Sequence, residues 1–273
     1  MSRKINSNLL KKNKIENWPY VNISKTNEEI PFYLYRNSVI LNVLKKLFAK
    51  SKIFILNCKI YQTNSLLHIF LSYINGRTKN SKQLHNQNRV EDSLFVNKLI
   101  KSLDNYTKNK LNFYIIVQNI QKYIIQLKQF NNYTLLKKKL YLKFKKYENK
   151  YAFLKTLLQI FFIIVTKPNS AQLLADYIGF IYKLKIYRKD HLRLFKLFKT
   201  ITKTLLASKI SIISGIKIII GGRINGFARS RSRFFQHGGM PLNTFDVKID
   251  YAYNTSFTVN GTLGIKVWIF EKK

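Results

Sequence analysis

An excess of 37 positive charges, carried on a sequence that is 46% hydrophobic, is the condition that any fold of this chain has to meet. So many apolar residues exceed what a disordered basic tail holds and are enough for a packed core. The charge works against that core, because like charges repel in a compact state. A polyanion resolves the conflict. Nucleic acid is the first candidate, since each phosphate met by Lys or Arg releases counterions. An anionic membrane surface is the second and an acidic protein the third. The basic residues run from Arg3 to Lys273 instead of clustering on one amphipathic face, which favours RNA over a membrane surface.

Several functions are excluded or disfavoured early. Cys58 is the single cysteine, so no disulfide can form within the chain and no zinc site can rest on thiolates; it reads as a small core hydrophobe. The most apolar segment, Leu157 to Val165, is interrupted by Gln159 and flanked by Lys155 and Lys167. It falls short of the roughly 20 residues a membrane helix needs and reads as a core helix or strand. His68, His85, His191 and His237 are dispersed, with no carboxylate or cysteine at metal-ligand spacing. Gly221-Gly222 and Gly238-Gly239 are not followed by the Gly-Lys-Ser/Thr of a phosphate-binding loop. Asp246 and Asp250 share one face of a strand with Lys248, which predicts ion pairing rather than a catalytic carboxylate pair. No catalytic site, metal or cofactor is expected.

Along the chain, residues 1–37 are basic and without clear periodicity. Apolar residues at helical spacing predict a helix over 38–50, and strands follow from Ile53 to Ile60 and Leu66 to Tyr73, turned by Gln62-Thr63-Asn64. A helix from Ser93 to Leu103 and a strand from Asn112 to Gln118 come next. Residues 121–168 form a Lys-rich, largely helical block without a chemical motif, taken as an insertion that fills space and contacts RNA. Near the C-terminus, Ile216 to Ile220, the alternating Phe245, Val247, Ile249 and Tyr251, and Leu263 to Phe270 after the Asn260-Gly261 turn predict a small sheet with the preceding helices on one face.

Two basic features stand out. From Lys189 onward, Arg193, Lys196, Lys199 and Lys203 recur at steps of three and four, with Leu194, Phe195, Phe198, Ile201 and Leu205 opposite. At 3.6 residues per turn this is a basic stripe backed by an apolar one, a form suited to tracking a phosphate backbone. Four of the ten arginines, Arg223, Arg229, Arg231 and Arg233, lie within one short stretch of a chain that otherwise uses Lys. Arg brings bidentate phosphate binding and base stacking that Lys lacks, and Phe234, Phe235 and His237 adjoin the cluster.

The blocks Gly215-Ile216-Lys217-Ile218, Gly222-Arg223, Pro241-Leu242-Asn243-Thr244, Ile249-Asp250-Tyr251 and Gly264-Ile265-Lys266-Val267-Trp268-Ile269-Phe270 occur in this order. Together they resemble the C-terminal domain of the small-subunit ribosomal protein S3 family. Ala171 to Asp176 resembles the start of the helix opening that domain, 38–73 the opening of the family's KH-like domain, and Lys4-Ile5-Asn6, Leu9 and Trp18 its N-terminus. The last likeness argues against a cleaved transit peptide. Two departures are visible. The Gly-x-x-Gly loop of a KH domain, which clamps a nucleic-acid backbone, is replaced by Gln87-Asn88-Arg89-Val90, and 121–168 is inserted.

The resemblance implies an α+β chain: a basic extension (1–37), a degenerate type II KH-like domain (38–120), the insertion (121–168) and an S3-type C-terminal helix-and-sheet domain (169–273). It also implies a structural constituent of the small ribosomal subunit, with rRNA, mRNA and neighbouring ribosomal proteins of the head as partners. The segment lining the channel through which mRNA enters corresponds to Lys185, Arg188, Lys189, Arg193, Lys196 and Lys199, with no one-to-one equivalents. With Lys203 and the arginine cluster these are the candidate RNA-binding residues. Divergence, and a usage rich in Lys, Asn, Ile, Phe and Tyr that suits AT-rich codons, point to an organelle-encoded mitochondrial protein. A free RNA-processing factor is the alternative, and a membrane-surface protein a weaker one.

Overall fold

The computed structural model describes residues 20–51, 53–63, 65–76, 97, 100–105, 112–120, 138, 140–147, 151, 153–166, 170–184, 190–207, 212–227, 231–244 and 247–271. They fall in two compact units, one within 16–125 and one within 126–273.

In the first unit, strand β1 (Tyr20–Asn22) precedes helix α1 (Glu29–Ser51), the hairpin β2 (Ile53–Gln62) and β3 (Leu66–Asn75), and β4 (Asn112–Asn119). The helix begins well before Ser38, because its buried stripe starts with Tyr33 and Asn37 and continues through Ile40, Leu44 and Phe48. Pro31 falls in the first turn, where its missing N–H costs no helical bond. Glu29 anchors that end, accepting hydrogen bonds from the Lys25 N–H (2.9 Å) and the Tyr33 hydroxyl (3.2 Å). The supposed featureless extension therefore contains structure: β1 pairs in parallel with β2, Tyr20 opposite Ile60, and Asn37 donates to Asn22 at 2.8 Å.

The sheet order is β1-β2-β3-β4, with β3 and β4 parallel. A parallel pair needs a crossover, and the helical residues 100–105 lie within it, Leu103 buried among Ile40, Leu44, Phe48, Ile60, Leu67, Ile69, Leu71 and Tyr73. Cys58 packs half-buried against this core. Burial pushes its thiol up to about 12 despite nearby Lys45, in keeping with a hydrophobic role. The expected Gln87–Val90 loop lies outside the described residues.

The second unit holds helices α2 (Leu154–Thr166), α3 (Ala171–Lys183) and α4 (His191–Leu206), and strands β5 (Ile213–Gly222), β6 (Arg231–Gly238), β7 (Ile249–Thr258) and β8 (Gly261–Glu271). The strands form an antiparallel sheet in the order β6-β5-β8-β7. Helix α3 packs on β7 and β8, α4 on β5 and β6, and α2 against both helices. Ile216, Ile218, Ile220, Leu263, Ile265, Val267 and Ile269 are buried beneath the helices. Although α2 lies within the expected 121–168 insertion, Leu157, Ile160, Phe161, Ile163 and Ile164 are at most 1% exposed. A helix apolar all round belongs in a core, so this part of the block belongs to the C-terminal packing.

Candidate nucleic-acid interface

The basic stripe has the geometry its spacing predicts. Leu194, Leu197, Phe198, Ile201 and Leu205 face the sheet and are buried, whereas Arg193, Lys196, Lys199 and Lys203 are exposed. Phe195 meets Phe235 of β6 edge-on, centroids 5.2 Å apart, which fixes the rotation of the helix over the sheet. His237 lies near Lys199 and Lys203, toward the far end of the helix. Burial lowers its pKa, and the positive charges of Lys199 and Lys203 push the same way. Arg193 is partly compensated, since its guanidinium donates to Asp190 at 3.0 Å. Lys185, Arg188 and Lys189 lie outside the described residues, so the structural stripe is Arg193, Lys196, Lys199 and Lys203.

The N-terminus of α4 is held by a reciprocal clasp. His191 N–H donates to the Asn225 side-chain oxygen (2.9 Å), and Asn225 N–H donates to His191 Nδ1 (3.1 Å). Asn225 sits at φ 55°, left-handed backbone that Asn tolerates better than most side chains. Burial lowers the His191 pKa, against the opposing pull of Asp190. A neutral ring is what the clasp needs, since Nδ1 must accept.

The arginine cluster is divided by the sheet. Arg231 and Arg233 lie on the edge strand β6, where the sequence pattern predicts no strand. By alternation they share the helix-covered face with Phe235 and His237, toward the end where α4 begins. Arg231 stacks over Phe227 at 4.8 Å. Arg223 follows β5 at the opposite face, where it lines a groove and donates to the Gly226 carbonyl at 3.1 Å. Arg229 lies outside the described residues. Arg231 and Arg233 thus extend the cationic surface of α4, and Arg223 does not.

The carboxylates take a role different from the expected ion pairing. Lys248 pairs with Glu271 at 3.3 Å. Asp250 faces inward and accepts the Ala171 N–H at 2.7 Å, supplying from β7 the cap that Ser170 does not give α3. Desolvation raises the Asp250 pKa, and its backbone hydrogen bonds oppose that rise. Asn254 donates to Asp176 and Ser256 to the Gly179 carbonyl, so α3 docks on β7 through a polar seam. Asp246 lies outside the described residues. Among the described residues no group of three His, Cys, Asp or Glu could hold a metal ion, and no helix is long and apolar enough to cross a membrane.

The second unit is thus a helix-on-sheet domain with an apolar interior and a cationic row on one helix. Residues 194–269 match the family described as ribosomal protein S3, C-terminal domain. The small ribosomal subunit protein uS3 of Synechocystis sp. is 36% identical over 111 residues, covering 40% of this chain and 42% of that protein. The uS3c proteins of Staurastrum punctulatum (40% over 111 residues; 40% and 47% covered) and Chara vulgaris (36% over 117; 42% and 49%) are similar to the same extent. Over this stretch the chain is similar to the C-terminal domain of ribosomal protein S3. The chain spans a little under half the length of these relatives.

Proposed function

We propose that this chain is a structural constituent of a small ribosomal subunit, holding rRNA in the head and lining the channel through which mRNA enters. The observation that carries this reading is that the family match runs through α4 and all four strands of the C-terminal sheet, so Lys196, Lys199, Lys203, Arg223, Arg231 and Arg233 fall inside it. The α4 lysines are exposed on a helix with a buried opposite face, so they can meet phosphates without disturbing the core. The first unit supports a degenerate KH-like domain by its helix-strand-strand order and its parallel final strand. The compartment is a mitochondrial ribosome, and the gene an organelle one. The AT-rich residue usage and the divergence from bacterial and chloroplast relatives support this assignment.

Sedimentation of mitochondrial and chloroplast lysates through sucrose gradients, at moderate and high salt, tests the proposal. Comigration with the mitochondrial small subunit that persists in high salt is the expected result. Comigration in the chloroplast lysate alone would overturn the compartment. A slow-sedimenting, salt-released chain would favour a free RNA-processing factor.

A further inference from the structure

The face of the C-terminal sheet turned away from the helices carries side chains in cross-strand rows. Antiparallel register places Gln236, Lys217, Trp268 and Tyr251 in one row and Phe234, Ile219, Lys266 and Tyr253 in the next. A third row is small, with Gly221 and Gly264 at its centre. In the first row the indole is sealed, since Trp268 is 1% exposed under Tyr251 (5.1 Å) and Lys217 (5.9 Å). The second row is different. Phe234 is 69% and Tyr253 48% exposed, and the Tyr253 ring lies over bare Gly264, where an added Cβ would stand 3.6 Å from it.

These residues border a groove of about 1270 Å³ that also takes in Arg223. Its described lining holds three cations, Lys217, Arg223 and Lys266, and no carboxylate. A protein segment docking by apolar contact alone would gain nothing from those cations. A nucleotide strand satisfies both features, its phosphates meeting the cations and its bases the exposed rings. Phe234 and Tyr253 stand three interstrand spacings apart, about 14 Å, so the strand would run across the sheet from β6 to β7. Paired bases could not reach the rings. The sheet face therefore favours unpaired RNA, unlike the phosphate-tracking row on α4.

We propose that this face is a second RNA-binding surface that stacks unpaired nucleotides on Phe234 and Tyr253, with Lys217, Lys266 and Arg223 meeting their phosphates. The inference rests on the RNA-binding reading above and assigns it a separate site. Both rings are exposed, so their removal spares the core.

The test measures binding of the full chain to labelled oligouridine and to a labelled RNA duplex, for the wild type and for the double variant Phe234→Ala, Tyr253→Ala. The double variant is expected to lose oligouridine affinity by roughly 100-fold, about ten-fold per ring, and to keep duplex affinity. Unchanged oligouridine binding in the variant would overturn the sheet-face site while leaving RNA binding by α4 intact. Failure of the wild type to bind either probe would overturn both. In assembled subunits, ultraviolet cross-linking is expected to place uridine adducts on Phe234 or Tyr253. Chemical cross-links from this face to a protein, without uridine adducts, would make it a protein-docking surface instead.

Discussion

His191 and Asn225 each donate a backbone N–H to the other's side chain, at 2.9 and 3.1 Å, and so lock the first turn of α4 to the turn after β5. That pair decides where the cationic row of α4 stands over the sheet. An Asn225→Ala variant loses the acceptor and forces an alanine into φ 55°; about 2 kcal/mol of stability should go. Asn225→Gly relieves the backbone alone and should cost about half as much. Urea denaturation of the three proteins measures the order, and equal loss in both variants would contradict it.

Acid should weaken the same region. Burial lowers the pKa of His191 from the ordinary 6.5, and burial with Lys199 and Lys203 lowers that of His237. With the folded value below the unfolded one, the unfolded chain takes up protons first as pH falls. The contribution is thus fully present above about pH 6.5 and is lost as pH drops through the folded values. Urea midpoints at neutral and mildly acidic pH should differ more in the wild type than in a His191→Gln, His237→Gln variant. A wild-type midpoint that does not fall on acidification would refute the assignment.

Asp250 can be tested through the seam it anchors. Replacing it by Ala strands the Ala171 N–H beneath β7, and a buried donor without a partner costs about 1–3 kcal/mol. Thermal unfolding should show a clear drop in Tm for Asp250→Ala. A surface change such as Lys196→Ala should stay within about 0.5 kcal/mol of the wild type.

Close approach of β5 and β6 makes a further demand. Gly215 lies against the Gly239 carbonyl, and Gly238, at φ 78°, against that of Ser214. A methyl group at either position meets backbone that cannot move without opening the pair. Gly215→Ala and Gly238→Ala should each lose more than about 2 kcal/mol, accompanied by faster amide exchange along Arg231–Gly238.

Removing charge from α4 should change binding with little effect on folding. For Lys196→Ala, Lys199→Ala, Lys203→Ala, the slope of log affinity against log salt on duplex RNA should become shallower by about 2–3, close to one for each phosphate that is no longer neutralised. An unchanged slope would exclude the row from the interface.

Much of this arrangement was legible in the residue order. The helix-period stripe of α4, the hairpin of β2 and β3, and strands β5, β7 and β8 of the C-terminal sheet follow from spacings that depend only on local backbone geometry. Composition alone made a polyanion the natural partner, because charge is a property of the sequence whatever the fold. Pairing across the sheet was not legible. Strand β6 is missing from the strands that the sequence predicts because an edge strand need not alternate cleanly, yet pairing with β5 forms it and separates Arg231 and Arg233 from Arg223. On β7, apolar alternation by itself turns Asp250 outward, but α3 offers it an unsatisfied N–H and draws Asp250, Asn254 and Ser256 inward. Sequence periodicity determined which side chains share a face. Only the tertiary structure decided which face is covered, because that depends on the polar groups another element brings to meet it.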